Sequence, residues 1–467
     1  MIETNLTSIA AMCGGTLLDA AQEQIAVRGV FTDSRQVEQG ALFVPLAGDR
    51  FDGHSYVEQA LAAGAAAAFW QADHPLPEAR LPLVIVDDTL LALQRMATHY
   101  IKQLDVKVIA VTGSNGKTTT KDLITAVLSR SYRVHKTEGN FNNHIGLPLT
   151  VLRMPADTDV VVLEMGMSGR GEIELLTKLV HPDIAVITNI GEAHLLQLGS
   201  RTEIARAKLE IISGLKEEGV LICLGDEPLL EQVIGEPETT QPASMNVVTY
   251  GMGPLNDYRP DSIMQMEDGM TFSVITALGE RSVYSIPILG QHNVLNAMAA
   301  IAIGRLLHVP EQMIGAALES VQISGMRIEK IDTEQGWTIL NDAYNASPTA
   351  MKAAIDVLAS VRGGKRIAIL GDMLELGEQE VQLHREVGAY ITSHKTDVLL
   401  TYGKLGNEIA EGAKSHLPEG AVRSFQNKDE LRNYMLELVE PHATVLVKAS
   451  RGMKMEEIIK QWIQIKH

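Results

Sequence analysis

Apolar residues recur along this chain in two rhythms, and their alternation predicts its architecture. Short, nearly continuous apolar runs at 107–111, 133–136, 160–164, 184–188 and 220–224 read as strands. Runs of this kind suit parallel strands covered on both faces. Helical spacing appears between and before them; Leu91, Met96, Tyr100 and Leu104 mark 88–104 as a helix leading into the strand array. Strand followed by helix, repeated, predicts a parallel sheet flanked by helices. Residues 245–289 break that rhythm with short alternating strands and a hairpin turn at Asp268-Gly269, predicting an antiparallel flap or edge extension. A helix over 293–307 follows.

The flanking segments carry α/β patterns of their own. Residues 1–86 predict a small unit with strands at 41–45 and 83–86, a helix at 56–63 and a loop over 48–54. Residues 327–467 predict strands at 366–370, 397–401 and 444–448 with amphipathic helices between, a second and smaller doubly wound sheet. The expected fold is α/β in three domains: a small α/β domain (1–86), a central P-loop parallel-sheet domain (87–326) and a C-terminal Rossmann-like domain (327–467). A length of 467 residues accommodates this division.

Composition narrows the function classes. Net charge is −18, which argues against non-specific nucleic-acid or anionic-membrane binding. An anionic ligand must therefore be held by local donors. The two cysteines, Cys13 and Cys223, show no metal-binding spacing and suit reduced thiols. The first residues lack the basic flank of a secretion signal, and the apolar stretch Leu61 to Trp70 is too short to span a bilayer. A cytoplasmic protein without membrane insertion is expected, and a monomer is the default.

The strongest chemical signal is Thr112-Gly-Ser-Asn-Gly-Lys-Thr118, followed by Thr119 and Thr120. An apolar strand runs into a tight turn that opens a helix. Unpaired N–H groups at a helix start attract anions, and Gly113 and Gly116 let the backbone of Ser114 and Asn115 approach a phosphate. Lys117 reaches a terminal phosphate and the Thr118 hydroxyl suits Mg²⁺. A standard P-loop would place another glycine where Val111 stands, so this is the shorter G-x-x-G-K-T form. Glu164 ends the run Val-Val-Val-Leu-Glu on the edge facing the loop; it is either a Mg²⁺ ligand or a solvated strand-end carboxylate. His194 follows the next strand. A lone histidine is usually structural, but its placement beside Glu164 favours a metal role. Lys208, by its own spacing, reads as a solvated helix lysine.

With these residues in place, the chain resembles the Mur ligases, the ATP-dependent amide-bond ligases of peptidoglycan synthesis. The resemblance spans all three segments in order. Asp33-Ser-Arg35, Gly40-Ala-Leu-Phe-Val44 and Asp52-Gly-His54 resemble the family's UDP-sugar domain. The loop 112–118 resembles its ATP loop and accounts for the missing glycine. Thr137 to Pro148, Asn341 to Pro348, Leu370 to Gly377 and Val447 to Met453 resemble the branch that adds D-alanyl-D-alanine. The Asp-Asn-Pro-Arg string of the branch that adds a diamino acid is absent. Ser347 and Ala449 depart from that pattern, where Asn and Gly are frequent.

The resemblance implies phosphorylation of the terminal carboxylate of a UDP-N-acetylmuramoyl tripeptide by ATP with Mg²⁺. The amine of D-Ala-D-Ala then attacks the acyl phosphate. It implies that Lys117 and Arg327 meet the phosphates and that Thr118 and Glu164 hold Mg²⁺. A second ion would fall to His194 and Lys208, the latter as a carbamate. Asn293 and Asn296 would contact adenine, although Asn293 also suits a helix cap. Asp342 would hold the ribose from the third domain, against an ordinary turn aspartate. Ser34, Arg35, Asn140 and Asn143 would serve the UDP substrate, with Asn143 near phosphate or simply stabilising its loop. Tyr344, Asn345, Ser450 and Arg451 would line the acceptor region. Nucleotide contacts on two domains imply that the third closes onto the second.

Overall fold

The computed structural model describes residues 1–48 and 51–463, so Asp49 and Arg50 of the predicted 48–54 loop lie outside the described residues. Among the described residues three large parallel-containing sheets succeed one another, each within one predicted segment. The first has five strands in the order Thr16–Leu17, Leu83–Val86, Ala67–Gln71, Leu42–Phe43, Val30–Phe31. The helix Thr89–Lys102 then leads into the central sheet. Asp88 caps it by accepting from the Leu91 amide at 2.8 Å. Its buried face of Ala92, Leu93, Met96, Ala97, Tyr100 and Ile101 shares a core with the first and central segments. Burying each large apolar side chain of this kind stabilises the fold by ~2 kcal/mol.

The central sheet has nine strands, ordered Val134–Lys136, Val160–Glu164, Lys107–Thr112, Ile184–Ile187, Gly219–Leu224, Met245–Tyr250, Tyr258–Met266, Gly269–Thr276 and Arg281–Ile286. From Lys107–Thr112 the chain first builds to one side, through Val134–Lys136 and Val160–Glu164, and then crosses to Ile184–Ile187 on the other. That reversal opens a crevice at the carboxyl ends of the strands. The structure corrects the reading of 245–289. Met245–Tyr250 is a parallel neighbour of Gly219–Leu224 and belongs to the main array. Only the last three strands form an antiparallel extension. The hairpin turn is Glu267-Asp268, with Gly269 already paired to Met266. Gly269 sits in the strand because a Cβ there would fall 2.1 Å from the Ile286 carbonyl oxygen.

The helix Gln291–Leu306 begins two residues earlier than its periodicity predicts and is buried on nearly every face. The third sheet runs Glu329–Asp332, Thr338–Asn341, Thr444–Lys448, Arg366–Gly371, Val398–Tyr402, Val422–Phe425. Its first pair is antiparallel and the rest parallel. Cys13 and Cys223 are buried free thiols. Among the described residues no helix is long and apolar enough to cross a membrane.

Candidate active site

The strand Lys107–Thr112 delivers the phosphate loop to the crevice, with Val111 in register with Glu164 on one side and Thr112 with Ile187 on the other. Gly113 has φ +149° and Gly116 has φ +80°, and Gly116 directly precedes the helix Lys117–Leu128. A Cβ on Gly113 would lie 1.8 Å from Thr188 Oγ1. The loop is fixed from the neighbouring strand end: Thr188 Oγ1 donates to the Asn115 carbonyl at 2.5 Å, and Asn189 Oδ1 accepts from the Asn115 amide at 2.9 Å. Ser114 Oγ accepts from the Gly191 amide at 2.8 Å. Lys117 folds back to donate to the Gly113 carbonyl at 2.8 Å. Burial lowers its pKa below the usual lysine value. A half-buried ammonium held by the Gly113 and Ser114 carbonyls is poised to turn toward an anion.

Thr118 Oγ1 donates to Glu164 Oε2 at 2.7 Å and accepts from Arg327 Nη2 at 2.8 Å. Asn142 Nδ2 donates to the other Glu164 oxygen at 2.9 Å. Hard oxygens from a hydroxyl and an oriented carboxylate, beside a phosphate cradle, fit a divalent cation such as Mg²⁺. These groups line a cavity of about 420 Å³ between the central sheet and the third domain. The cavity gathers Ser114 through Thr119, Asn143, Glu164, His194, Asn293, Asn296, Arg327, Asp342, Tyr344 and Asn345 from widely separated parts of the chain. Asn293 and Asn296 are buried and bonded to each other at 3.0 Å, and Asn293 also donates to the Leu289 carbonyl. Asp342 accepts from Lys448 Nζ at 2.6 Å, and Arg327 lies 4.2 Å over the Tyr344 ring.

One expectation needs correction. Lys208 is not a solvated helix lysine; it is 1% exposed. Burial, then repulsion from Lys117, pushes its pKa well below the usual lysine value. Lys208 does not line the cavity, yet it stands within electrostatic reach of Lys117 and His194. Asn143 Oδ1 accepts from the Gly146 amide at 2.8 Å, so the loop-stabilising alternative is present along with cavity exposure. Asn140, Ser34, Arg35, Ser450 and Arg451 lie outside the cavity lining. Arg35 is occupied by Asp33 of its own turn. Ser450 Oγ accepts from the Leu374 amide, and Arg451 pairs with Glu456. Asn142, His292 and Lys448 line the cavity but carried no signal of their own in the sequence.

The third domain is seated on the central one. Ser347, the departure from the branch pattern, caps the helix Pro348–Ser360, and its hydroxyl reaches Asn115 Oδ1 at 3.2 Å. Thr349 Oγ1 donates to Glu192 at 2.8 Å.

A nucleotide-loop sheet, a smaller α/β domain before it and a Rossmann-like domain closing over the loop define a three-domain ATP-dependent ligase. Family models agree along the chain: "Mur ligase family, catalytic domain" matches 26–101, "Mur ligase middle domain" 111–304, and "Mur ligase, glutamate ligase domain" 326–451. The UDP-N-acetylmuramoyl-tripeptide--D-alanyl-D-alanine ligase of Bacillus subtilis is 52% identical over 465 residues, 99% of both chains. The crystal structure of MurF from Acinetobacter baumannii superposes with a TM-score of 0.89 at 30% identity, covering 100% of each chain. MurF ligase from Thermotoga maritima, in complex with ADP, gives 0.81 at 27% identity, over 94% of this chain and 97% of that one. The chain belongs to the Mur ligase family.

Proposed function

We infer that this chain is an ATP-dependent ligase that joins D-alanyl-D-alanine to the terminal carboxylate of a UDP-N-acetylmuramoyl tripeptide, yielding the pentapeptide precursor of peptidoglycan, ADP and phosphate. The observation that carries the reading is that the phosphate loop, the Thr118–Glu164 pair and Arg327 face Asp342 and Tyr344 of the third domain across one cavity. Full-length identity to the Bacillus subtilis ligase supports the substrates.

The chemistry requires two anions to meet. A carboxylate oxygen attacks the γ-phosphorus, the bond to ADP breaks, and an acyl phosphate remains. Lys117 leaves the loop carbonyls for phosphate oxygens, and Arg327 adds a second cation from the domain junction. Mg²⁺, held by Thr118 and Glu164, would neutralise phosphate charge; His194 and a carbamylated Lys208 would serve a second ion. The dipeptide amine then attacks the acyl carbon, loses a proton and expels phosphate. The seated third domain keeps water from the acyl phosphate. Asn293 and Asn296 are assigned to adenine and Asp342 to ribose. Ser34, Arg35, Asn140 and Asn143 are assigned to the UDP substrate, and Tyr344, Asn345, Ser450 and Arg451 to the acceptor. The domain limits 1–86, 87–326 and 327–467, a monomeric state and a cytoplasmic location belong to the same proposal.

The test is phosphate release from ATP, Mg²⁺ and UDP-N-acetylmuramoyl tripeptide, with and without D-Ala-D-Ala. Dipeptide-dependent release with a pentapeptide product by mass is expected. Turnover with single amino acids in its place would move the chain to another ligase branch.

A further inference from the structure

The helix Lys117–Leu128, which carries the phosphate loop, also holds the linker to the third domain, at two points about one turn apart. Near its start Thr118 Oγ1 accepts from Arg327 Nη2. Four residues on, the Asp122 side chain is 1% exposed. Its Oδ2 accepts from the Ser324 amide at 2.9 Å and the Ser324 hydroxyl at 2.7 Å, and its Oδ1 from Lys136 Nζ at 2.9 Å. Burial works against its charge, but Lys121 and the Ser324 and Lys136 hydrogen bonds outweigh it and hold the carboxyl below its ordinary range.

Beyond Arg327 a second clasp ties the linker to the third sheet. Glu329 Oε2 accepts from the Met326 amide at 3.0 Å and from Asn341 Nδ2 at 2.9 Å. Between the clasps Met326 has φ +62° and Ile328 has φ +53°. A β-branched residue is rarely found there, so surrounding contacts must hold the backbone in place. Arg327, between these two residues, has a buried Nε with no hydrogen-bond partner. A cation so held, stacked on Tyr344 and short of one acceptor, is set for an incoming anion.

We propose that Asp122 and Ser324 are positioning residues for Arg327: they register the interdomain linker on the phosphate-loop helix, so that the arginine arrives over the phosphate cradle. Neither residue lines the cavity, so both act through the linker. Without the anchor, Gly325 frees the chain ahead of Arg327, and a displacement of the order of 1 Å at a phosphate-binding group costs up to about 100-fold in rate. The proposal rests on the reading that Arg327 meets the ATP phosphates.

The experiment is a double-mutant cycle on the full chain. Ser324→Ala and Asp122→Asn are made alone and in an Arg327→Ala background, with kcat, KM for ATP and Tm measured for each. Ser324→Ala keeps the amide contact and is the mild variant should Asp122→Asn fold poorly. Ser324→Ala is expected to lower kcat ~10-fold with KM for ATP within about twofold and Tm little changed, Ser324→Thr to restore kcat, and neither Ser324→Ala nor Asp122→Asn to lower kcat further once Arg327 is alanine. Equal losses with and without Arg327, or an unchanged kcat in Ser324→Ala, overturn the positioning role. Full activity in Arg327→Ala alone overturns the phosphate reading of that arginine, and the positioning role with it.

Discussion

His194 and Glu375 meet across the junction of the central and third domains, with Nδ1 and Oε2 2.8 Å apart. Both residues hold left-handed backbone, at φ +67° and +64°, and the Leu196 amide donates to the Glu375 carbonyl at 2.9 Å. A carboxylate on Nδ1 leaves Nε2 as the free ring position, the arrangement by which an outer carboxylate orients a metal-ligating histidine. Glu375→Ala is expected to raise the Mg²⁺ concentration for half-maximal activity ~10-fold, and Glu375→Gln to recover most of it by keeping an acceptor. A Mg²⁺ titration of the three proteins decides it; an unchanged midpoint in Glu375→Ala separates Glu375 from metal binding.

Lys208 should show opposite effects on stability and activity. Its amine is buried, with a pKa well below the usual lysine value because of burial and then Lys117. The sign follows: a lysine whose folded pKa is lowered destabilises the fold at every pH where the unfolded chain would be charged. Lys208→Met should therefore raise Tm near neutral pH in bicarbonate-free buffer, where the side chain is the free amine, while activity measured with bicarbonate falls ~100-fold through loss of the carbamate. Short carboxylates or bicarbonate added to Lys208→Ala should restore part of the rate. Full activity in the unsupplemented variant would remove the carbamate from the mechanism.

Lys208 and Lys448 also show what the sequence could and could not reveal. Parallel strands covered on both faces are written as continuous apolar runs, so Val160–Glu164 and Thr444–Lys448 fall where their runs predict. Strand ends then locate the site, because ligands bind at the carboxyl edge. Lys208 reads as a surface lysine and Lys448 carries no signal of its own, because burial depends on partners far away in the chain; the Asp342 that binds Lys448 is 106 residues distant. Asn142 was hidden beside Asn140 and Asn143, since only the turn geometry decides which amide of a polar loop points to Glu164. The strand Ala67–Gln71 was missed inside an alanine-rich stretch with little β-branched character. The short strands Glu329–Asp332 and Val422–Phe425 are half exposed and lack an apolar run altogether.

Gly113→Ala should weaken nucleotide binding at the phosphate loop itself. Its φ of +149° is one that residues with a side chain rarely adopt, and the added Cβ would overlap Thr188 Oγ1. Thr188 cannot retreat without releasing the Asn115 carbonyl that shapes the loop. The combined strain is ~1–3 kcal/mol at the cradle itself. Calorimetric titration with ADP should show at least ~10-fold weaker binding with secondary structure unchanged by circular dichroism. Wild-type affinity would mean that the loop reshapes on binding.

A pH-dependent clasp in the first domain gives the last prediction. Asp52 Oδ1 lies 2.7 Å from His54 Nδ1, and Asp52 Oδ2 lies 3.0 Å from His74 Nε2. His74 Nδ1 meets Asp73 Oδ1 at 2.7 Å, and the two imidazoles stack at 4.0 Å. The Gln71 amide donates to His54 Nε2 at 3.2 Å, which leaves Nδ1 to donate to Asp52. His74 has a carboxylate on each nitrogen and is best served protonated; Asp73 first, then Asp52 against some burial, raises its pKa above the ordinary 6.5. Burial opposes ionisation of Asp52, but hydrogen bonds from His54 and His74 prevail and bring it from 3.8 to about 2. A raised histidine contributes stability below its ordinary pKa and loses it as pH climbs through the folded value. A lowered carboxylate contributes above its ordinary pKa and loses it as pH falls toward the folded value. The clasp is therefore strongest between 3.8 and 6.5. The difference in Tm between wild type and His74→Gln, which cannot titrate, should be largest near pH ~5 and shrink by pH ~8.5. A difference that stays constant over that range would mean the His74 charge contributes nothing to the fold.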